Sequence, residues 1–346
     1  MPAPSGRPLW SVNNSGLSHR NQGKYMFINE TVSKTISPLI DRYWRGLPGN
    51  FRGAFWMMLS ALAFIAVQSV SKELGGKFDS FQIAFFRAFF GGLAVLPFLY
   101  SRGFSAYKTS NLPFHIGRGV FGAIAIYLMV YAVIHMPLAD ATVIGFTRTF
   151  FMIIFAVIFL GEMVRWRRWA ATAVGFSGVL LMLRPGDETF QMAALAAVGA
   201  SVCFASAHVC IKKCTTRKDH PMTIQTYYWT IATIVTFVPA LLVWVNPTAH
   251  DMMLMVLVGL LSGIAQTLLV YSLNAGEATF VHPFDFTRLI WAALAGWLIF
   301  SEPLSIITIA GAAIIISSNV YIARRQLKEN KEKAAAEAAK ESGEKA

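Results

Sequence analysis

One pattern occurs twice at a constant offset of 140 positions: Tyr131, Phe146-Thr147-Arg148 and Glu162 return as Tyr271, Phe286-Thr287-Arg288 and Glu302. Each copy sets an arginine inside a long apolar run, 141–160 in the first and 280–300 in the second. A charge at the centre of a membrane span costs about 3 kcal/mol on insertion scales, so by default it marks a polar cavity or pathway. Two such charges related by duplication predict a membrane carrier assembled from two repeats.

Mean hydropathy is +0.52, and only 14% of residues are charged, which excludes an ordinary soluble domain. Ten apolar stretches have about the 20-residue length that a helix needs to cross a bilayer. They run over 52–70, 81–100, 113–133, 141–160, 169–183, 192–211, 223–245, 252–273, 280–300 and 305–323. Short connections such as 135–140 require antiparallel neighbours, and the two-residue alternation of a β-barrel is missing. The expected fold is an all-α membrane protein of ten transmembrane helices. Its domains are a tail at 1–51, five-span repeats at 52–183 and 190–323, and a charged tail at 324–346.

An odd number of crossings per repeat turns the second copy upside down in the membrane. Charge supports that orientation. Fifteen lysines and arginines near the span ends fall on one side, Arg165, Arg167, Arg168, Lys212 and Arg217 among them, against Lys72, Lys77 and Arg184 on the other. The positive-inside bias puts both termini in the cytoplasm. The run Arg165-Trp166-Arg167-Arg168 follows span four, whereas Ser301-Glu302-Pro303-Leu304 after span nine carries no base, as inversion requires. Because the basic residues are scattered over loops, the net charge of +12 needs no nucleic-acid partner.

Residues 1–50 contain no apolar signal-peptide core, so the first span itself acts as the targeting signal, and Met26 is a second candidate start. The stretch 36–44 suits the membrane surface. Cys203, Cys210 and Cys214 all lie on or just after span six; no two of them make a disulfide or metal set, and they read as packing residues.

The two inverted five-span repeats, the acidic signatures Leu160-Gly161-Glu162 and Phe300-Ser301-Glu302, and the Gly-rich spans that follow them resemble the EamA branch of the drug/metabolite transporter superfamily over about 52–323. Within it, Ser71-Lys72-Glu73-Leu74 and the stretch 78–87 look like bacterial S-adenosylmethionine uptake carriers, and 136–142 is similar to many alphaproteobacterial members. The resemblance implies uptake of S-adenosylmethionine or a related amino-acid-derived or nucleoside-like compound across the bacterial cytoplasmic membrane. Riboflavin import and amino-acid export are the alternatives within the family.

Arg148 and Arg288 each lie eight residues into their spans, about 12 Å deep at 1.5 Å per residue, so they approach the midplane from opposite sides. A guanidinium there binds a carboxylate or phosphate, or pairs with a local acid. Asp285, three residues before Arg288, can neutralise it, whereas the place equivalent to Asp285 before Arg148 is Gly145. Gln68 and His208 are a further pair 140 apart in spans one and six. Tyr131, Tyr271 and Trp291 are candidate aromatic walls. His282 and His135 are candidates to carry a coupling proton. Arg87 is either a pocket charge or a snorkelling anchor. Glu162 and Glu302, at span ends, read as a structural signature.

The order His135-Met136-Pro137-Leu138-Ala139-Asp140 matches the His-x4-Asp pattern of acyltransferases, but it sits in a minimal hairpin with no soluble domain beside it. There is no Walker lysine loop, nucleophile elbow or Cys/His metal set, so no catalytic residue, metal or cofactor is expected. Transport would draw on a gradient or on exchange, by rocking of the repeats around a cavity between spans one, three, four, six, eight and nine. Ala171 with Gly175, Ser201 with Ala205, and Ala292 with Gly296 supply small residues for close helix approach. The expected partners are a small-molecule substrate, the lipid bilayer and a coupled proton, with the chain as monomer or homodimer. A non-transporting membrane sensor or a lipid-modifying enzyme is the reading from another class.

Overall fold

The computed structural model describes residues 49–96, 100, 107–161, 164, 166–182, 188–217, 219–275 and 281–343. Residues 1–48, with the expected surface segment at 36–44, and Glu162, Arg165 and Arg184 lie outside the described residues. Eleven α-helices and two 3-10 turns are described, with no strand among them. The helices are α1 (Gly49–Leu74), α2 (Ser80–Gly91), α3 (Leu112–His135), α4 (Leu138–Gly145), α5 (Arg148–Leu160), α6 (Trp166–Met182), α7 (Glu188–Thr216), α8 (Pro221–Leu242), α9 (Ala249–Ala275), α10 (Thr287–Phe300) and α11 (Ile306–Gly343).

They make ten crossings. The 3-10 turn Gly92–Val95 extends α2, α4 and α5 share the fourth crossing, and the 3-10 turn His282–Phe286 leads into α10 in the ninth. Among the described residues six segments are long and apolar enough to cross a membrane on their own: Gly49–Leu74, Leu112–His135, Leu138–Phe159, Phe190–Thr216, Ala249–Ser272 and Ile306–Arg325. The fourth crossing starts at Leu138, earlier than expected, because Pro137 can cap a helix but has no N–H to continue one from before. Similarly α1 begins inside the expected tail, and α11 runs on through the charged tail to Gly343. Side chains such as Ile158, Leu180, Leu242 and Ile306 are mostly exposed, as on a lipid-facing surface.

The duplication is visible in the packing. Helix α1 lies along α9, and its repeat equivalent α7 lies along α3; α2 packs on α8 and α6 on α11, each against its own counterpart. Gly161 and Ser301, equivalent positions, both end their helices in the left-handed conformation at φ +66° and +53°. Their N–H groups close onto Ala156 O and Gly296 O, again 140 apart. Ser301 adopts there a conformation that costs a non-glycine residue about 1–2 kcal/mol, confined to the single cap position.

The fourth and ninth crossings break at the same place. Phe146 N donates to Val143 O and Thr147 N to Ile144 O, tightening the chain to a 3-10 step, and the Thr147 hydroxyl also takes Ile144 O at 2.7 Å. In the second repeat the Thr287 hydroxyl takes Phe284 O at 2.6 Å. A threonine that bonds back onto its own helix competes with the regular ladder, so each crossing restarts beside its arginine. Arg148 is the first residue of α5 and Arg288 the second of α10.

Links between crossing ends join ends that alternation puts on the same side. Gln82 exchanges two hydrogen bonds with the backbone of Val245, and Lys77 pairs with Asp251 at 3.0 Å. At the opposite end Arg217 donates to Asn111 Oδ1 at 3.0 Å, and Tyr227 donates to Tyr107 O.

Candidate functional site

Arg148 and Arg288 meet on one carboxylate. Arg148 Nη2 donates to Asp285 Oδ2 at 2.9 Å and Arg288 Nη2 donates to Asp285 Oδ1 at 2.6 Å. The acid expected to serve Arg288 alone therefore also reaches Arg148, from the other repeat, where Gly145 offers nothing locally. Arg288 is buried, its guanidinium 4.4 Å from the ring centroid of Phe64 on α1. Its Nε is buried without a hydrogen-bond partner, as is the indole Nε1 of Trp291 one turn further along α10. Arg148 is the open member of the trio, with its side chain 33% exposed against 11% for Arg288. The site thus holds two guanidiniums and one carboxylate beside the 3-10 steps of crossings four and nine.

The remaining candidates are spread more widely. Gln68 is half-buried and accepts from the Thr142 hydroxyl at 3.2 Å, tying crossing one to crossing four. His208 is exposed and its Nδ1 lies 2.6 Å from Phe204 O of its own helix. Tyr131 stacks on His135 at 4.2 Å, and His135 Nδ1 bonds Tyr131 O. Tyr271 is exposed and tilted against Trp56. His282 opens the 3-10 turn before α10, and its side chain, like Glu162, lies outside the described residues. Arg87 is buried on α2 rather than snorkelling to a surface.

Glu302 does more than mark a helix end. Its Oε1 lies 2.5 Å from Lys72 Nζ, its Oε2 accepts from Leu138 N at 2.8 Å, and Lys72 Nζ also donates to Met136 O at 2.6 Å. Crossing one, the turn before crossing four and the end of crossing nine are thereby latched together. A small pocket beneath is lined by Asp140, Ala292, Gly296, Glu302 and Thr308 among others, with the Thr308 hydroxyl on Asp140 Oδ1.

Sequence reasoning passed over a second polar cluster, at the opposite end. Asp219 accepts from Thr109 Oγ1, from Asn111 Nδ2 at 2.9 Å, and bonds His115 Nε2 at 3.0 Å. Cys214 lies close by, so that His115, Cys214 and Asp219 bring their ligating atoms within 4.8 Å of one another. Burial pushes the Asp219 carboxyl up, but the hydrogen bonds from Asn111, His115 and Thr109 outweigh it and hold the group below the usual carboxylate range. The signal was present: Asp219 is Asp79 shifted by 140, and Arg217 is Lys77 shifted by 140.

The EamA-like transporter family model matches twice, over residues 51–184 and 191–324. The chain is 34% identical over 271 residues to the S-adenosylmethionine uptake transporter of Rickettsia bellii, covering 78% of this chain and 92% of that protein. It is 33% identical over 285 residues to the riboflavin transporter of Rhizobium johnstonii, covering 82% and 94%. It is 28% identical over 277 residues to the pseudopaline exporter CntI of Pseudomonas aeruginosa, covering 79% and 96%. With the family model matched by both repeats and relatives above 30% identity along most of its length, the chain belongs to the EamA-like transporter family.

Proposed function

We propose that the protein takes up S-adenosylmethionine, or a closely related amino-acid-derived or nucleoside-like compound, by alternating access. It would sit in the bacterial cytoplasmic membrane with both termini in the cytoplasm, the orientation that the positive-charge bias supports. The observation that carries the reading is the Arg148–Asp285 bond, which joins the two repeats at the helix breaks. Riboflavin is uncharged, and a site of paired arginines suits a charged head group better. Arg148, Arg288, Asp285 and Trp291 would contact substrate, Gln68 would line the approach, and a coupling proton would pass through His282 or His135. The enzyme reading gains nothing from the hairpin, where His135 bonds Tyr131 and Asp140 bonds Thr308.

The test is uptake of labelled S-adenosylmethionine into cells expressing the protein, with and without an uncoupler. Accumulation above the empty-vector control, abolished by Arg148→Ala at unchanged membrane levels, is expected. Uptake of riboflavin with none of S-adenosylmethionine would replace the reading with the riboflavin one.

A further inference from the structure

We infer that the substrate brings a carboxylate, and that this carboxylate takes Arg148 from Asp285. The inference rests on the central trio being the transport site and names the group it recognises. Two guanidiniums share one carboxylate, so the trio carries one unmatched positive charge in a low-dielectric setting, where an unpaired ion is costly. A single anion of the size of a carboxylate completes the balance.

The two ion pairs are not alike. Asp285 and Arg288 are three residues apart on one crossing, both nearly buried, with Phe64 over the guanidinium. Arg148 comes from the other repeat and is one-third exposed. The Arg148 end is therefore the exchangeable one. A guanidinium presents five donors along its edges, so a substrate carboxylate can engage Arg148 while Asp285 lets go and stays with Arg288. The bond that is given up is one that ties the repeats together, so filling the site also loosens the contact that must move for the carrier to rock. Asp285 occupies Arg148 in place of the substrate's own acid group.

The experiment is equilibrium binding to the purified full chain with two matched pairs of probes: S-adenosylmethionine against its decarboxylated analogue, and methionine against methioninol. Charge-assisted hydrogen bonds predict that the wild type prefers the carboxylate member of a pair by about tenfold or more. Arg148→Gln should bring that preference to within about twofold. Asp285→Asn, and Asp285→Asn with Arg288→Gln if the single variant fails to fold, should keep or enlarge the preference for the carboxylate member of each pair, because the internal competitor for Arg148 is gone. A preference that survives Arg148→Gln, or no preference in the wild type, overturns the inference. If only methionine binds, with the same dependence on Arg148, the S-adenosylmethionine reading falls and the inference stands. If Arg148→Gln weakens S-adenosylmethionine and its decarboxylated analogue alike, the inference falls while the uptake reading survives.

Discussion

Phe146 and Phe286 meet edge to face, their ring centroids 5.0 Å apart and their planes at 68°. They are equivalent positions of the two repeats, and a residue that touches its own counterpart marks where the two-fold axis relating the repeats passes. The pairs around this axis follow it: α2 with α8, α6 with α11, the caps at Gly161 and Ser301, and the clamps Lys77–Asp251 and Arg217–Asn111. At the centre of the site the symmetry is broken by charge. Asp285 stands where the first repeat has Gly145, and this one acid serves the arginines of both halves.

The Lys72–Glu302 latch and the Lys77–Asp251 pair stand at the same end but differ in burial. In the latch the side chains are 13% and 17% exposed, whereas Lys77 is 65% exposed. Breaking a largely buried pair strands a charge, at a cost here of about 1–3 kcal/mol after allowing for the residual exposure. Lys77 reaches Asp251 from solvent, and when that lysine is removed Asp251 keeps the hydroxyl and N–H of Thr248. Glu302→Gln should therefore open the pocket beneath, and a cysteine placed at Ala139 should react faster with a membrane-impermeant maleimide. Lys77→Ala should leave that rate unchanged. Equal labelling in Glu302→Gln and wild type would show that the latch is not a gate.

Gly175 faces Phe150. A Cβ there would fall 2.0 Å from the ring Cζ of Phe150, which is fully buried and cannot step aside. Overpacking of this kind costs about 1–3 kcal/mol. Gly175→Ala should lower the melting temperature followed by fluorescence-detected gel filtration, and Phe150→Leu in the same chain should recover part of the loss.

The repeat, the arginines and the count of crossings were legible because each leaves a mark in the linear order: an offset, a charge in an apolar run, a length. The bond from Asp285 to Arg148 left none. A search for partners at helical spacing finds Gly145 and stops, since contact between repeats is set by how half-helices dock. His208 and Tyr271 were singled out for their offsets, yet both are exposed. Their crossings are apolar all round, so periodicity does not say which face looks inward. The helix breaks leave little mark for a related reason: Phe-Thr-Arg contains no proline or glycine, the threonine hydroxyls bond back onto the chain, and a proline, Pro283, stands in the turn of the second repeat alone.

The inverted arrangement predicts where reporters will face. Fusions after Arg167 and after Arg217 should both read cytoplasmic, and one after Leu304 should read external. The contacts agree in pairing the ends so that residues 107–115 and 214–230 share one side, opposite Lys72 and Glu302. A cytoplasmic signal at Leu304 would defeat the five-plus-five topology.

Asp219 makes the clamp at 107–115 sensitive to acid. Its carboxyl is held below the ordinary range in the folded protein, so the unfolded chain binds a proton more readily. The stabilisation is then fully present above the unfolded carboxylate value of about 3.9 and is lost as pH falls through the lower folded value. Asp219→Asn should reduce thermal stability at pH 7, and the gap from wild type should close below about pH 4. A gap that is the same at both pH values would mean that the clamp holds by shape and not by charge.

The central trio allows charge balance to be separated from substrate binding by expression alone. Asp285→Asn leaves two guanidiniums that had shared an acid, with the buried Arg288 uncompensated beneath Phe64. Removing one partner of a buried pair costs about 3–5 kcal/mol, more than removing both charges together. The variant carrying Asp285→Asn with Arg288→Gln should accordingly be recovered from membranes in higher yield than Asp285→Asn alone, with the same ordering in melting temperature. Uptake provides the second readout, since the double variant should stay inactive if Arg288 holds substrate as well as Asp285. A double variant that is well expressed and transports at the wild-type rate would make the Asp285–Arg288 pair a structural element, and Arg148 alone would remain as the charged contact with the substrate.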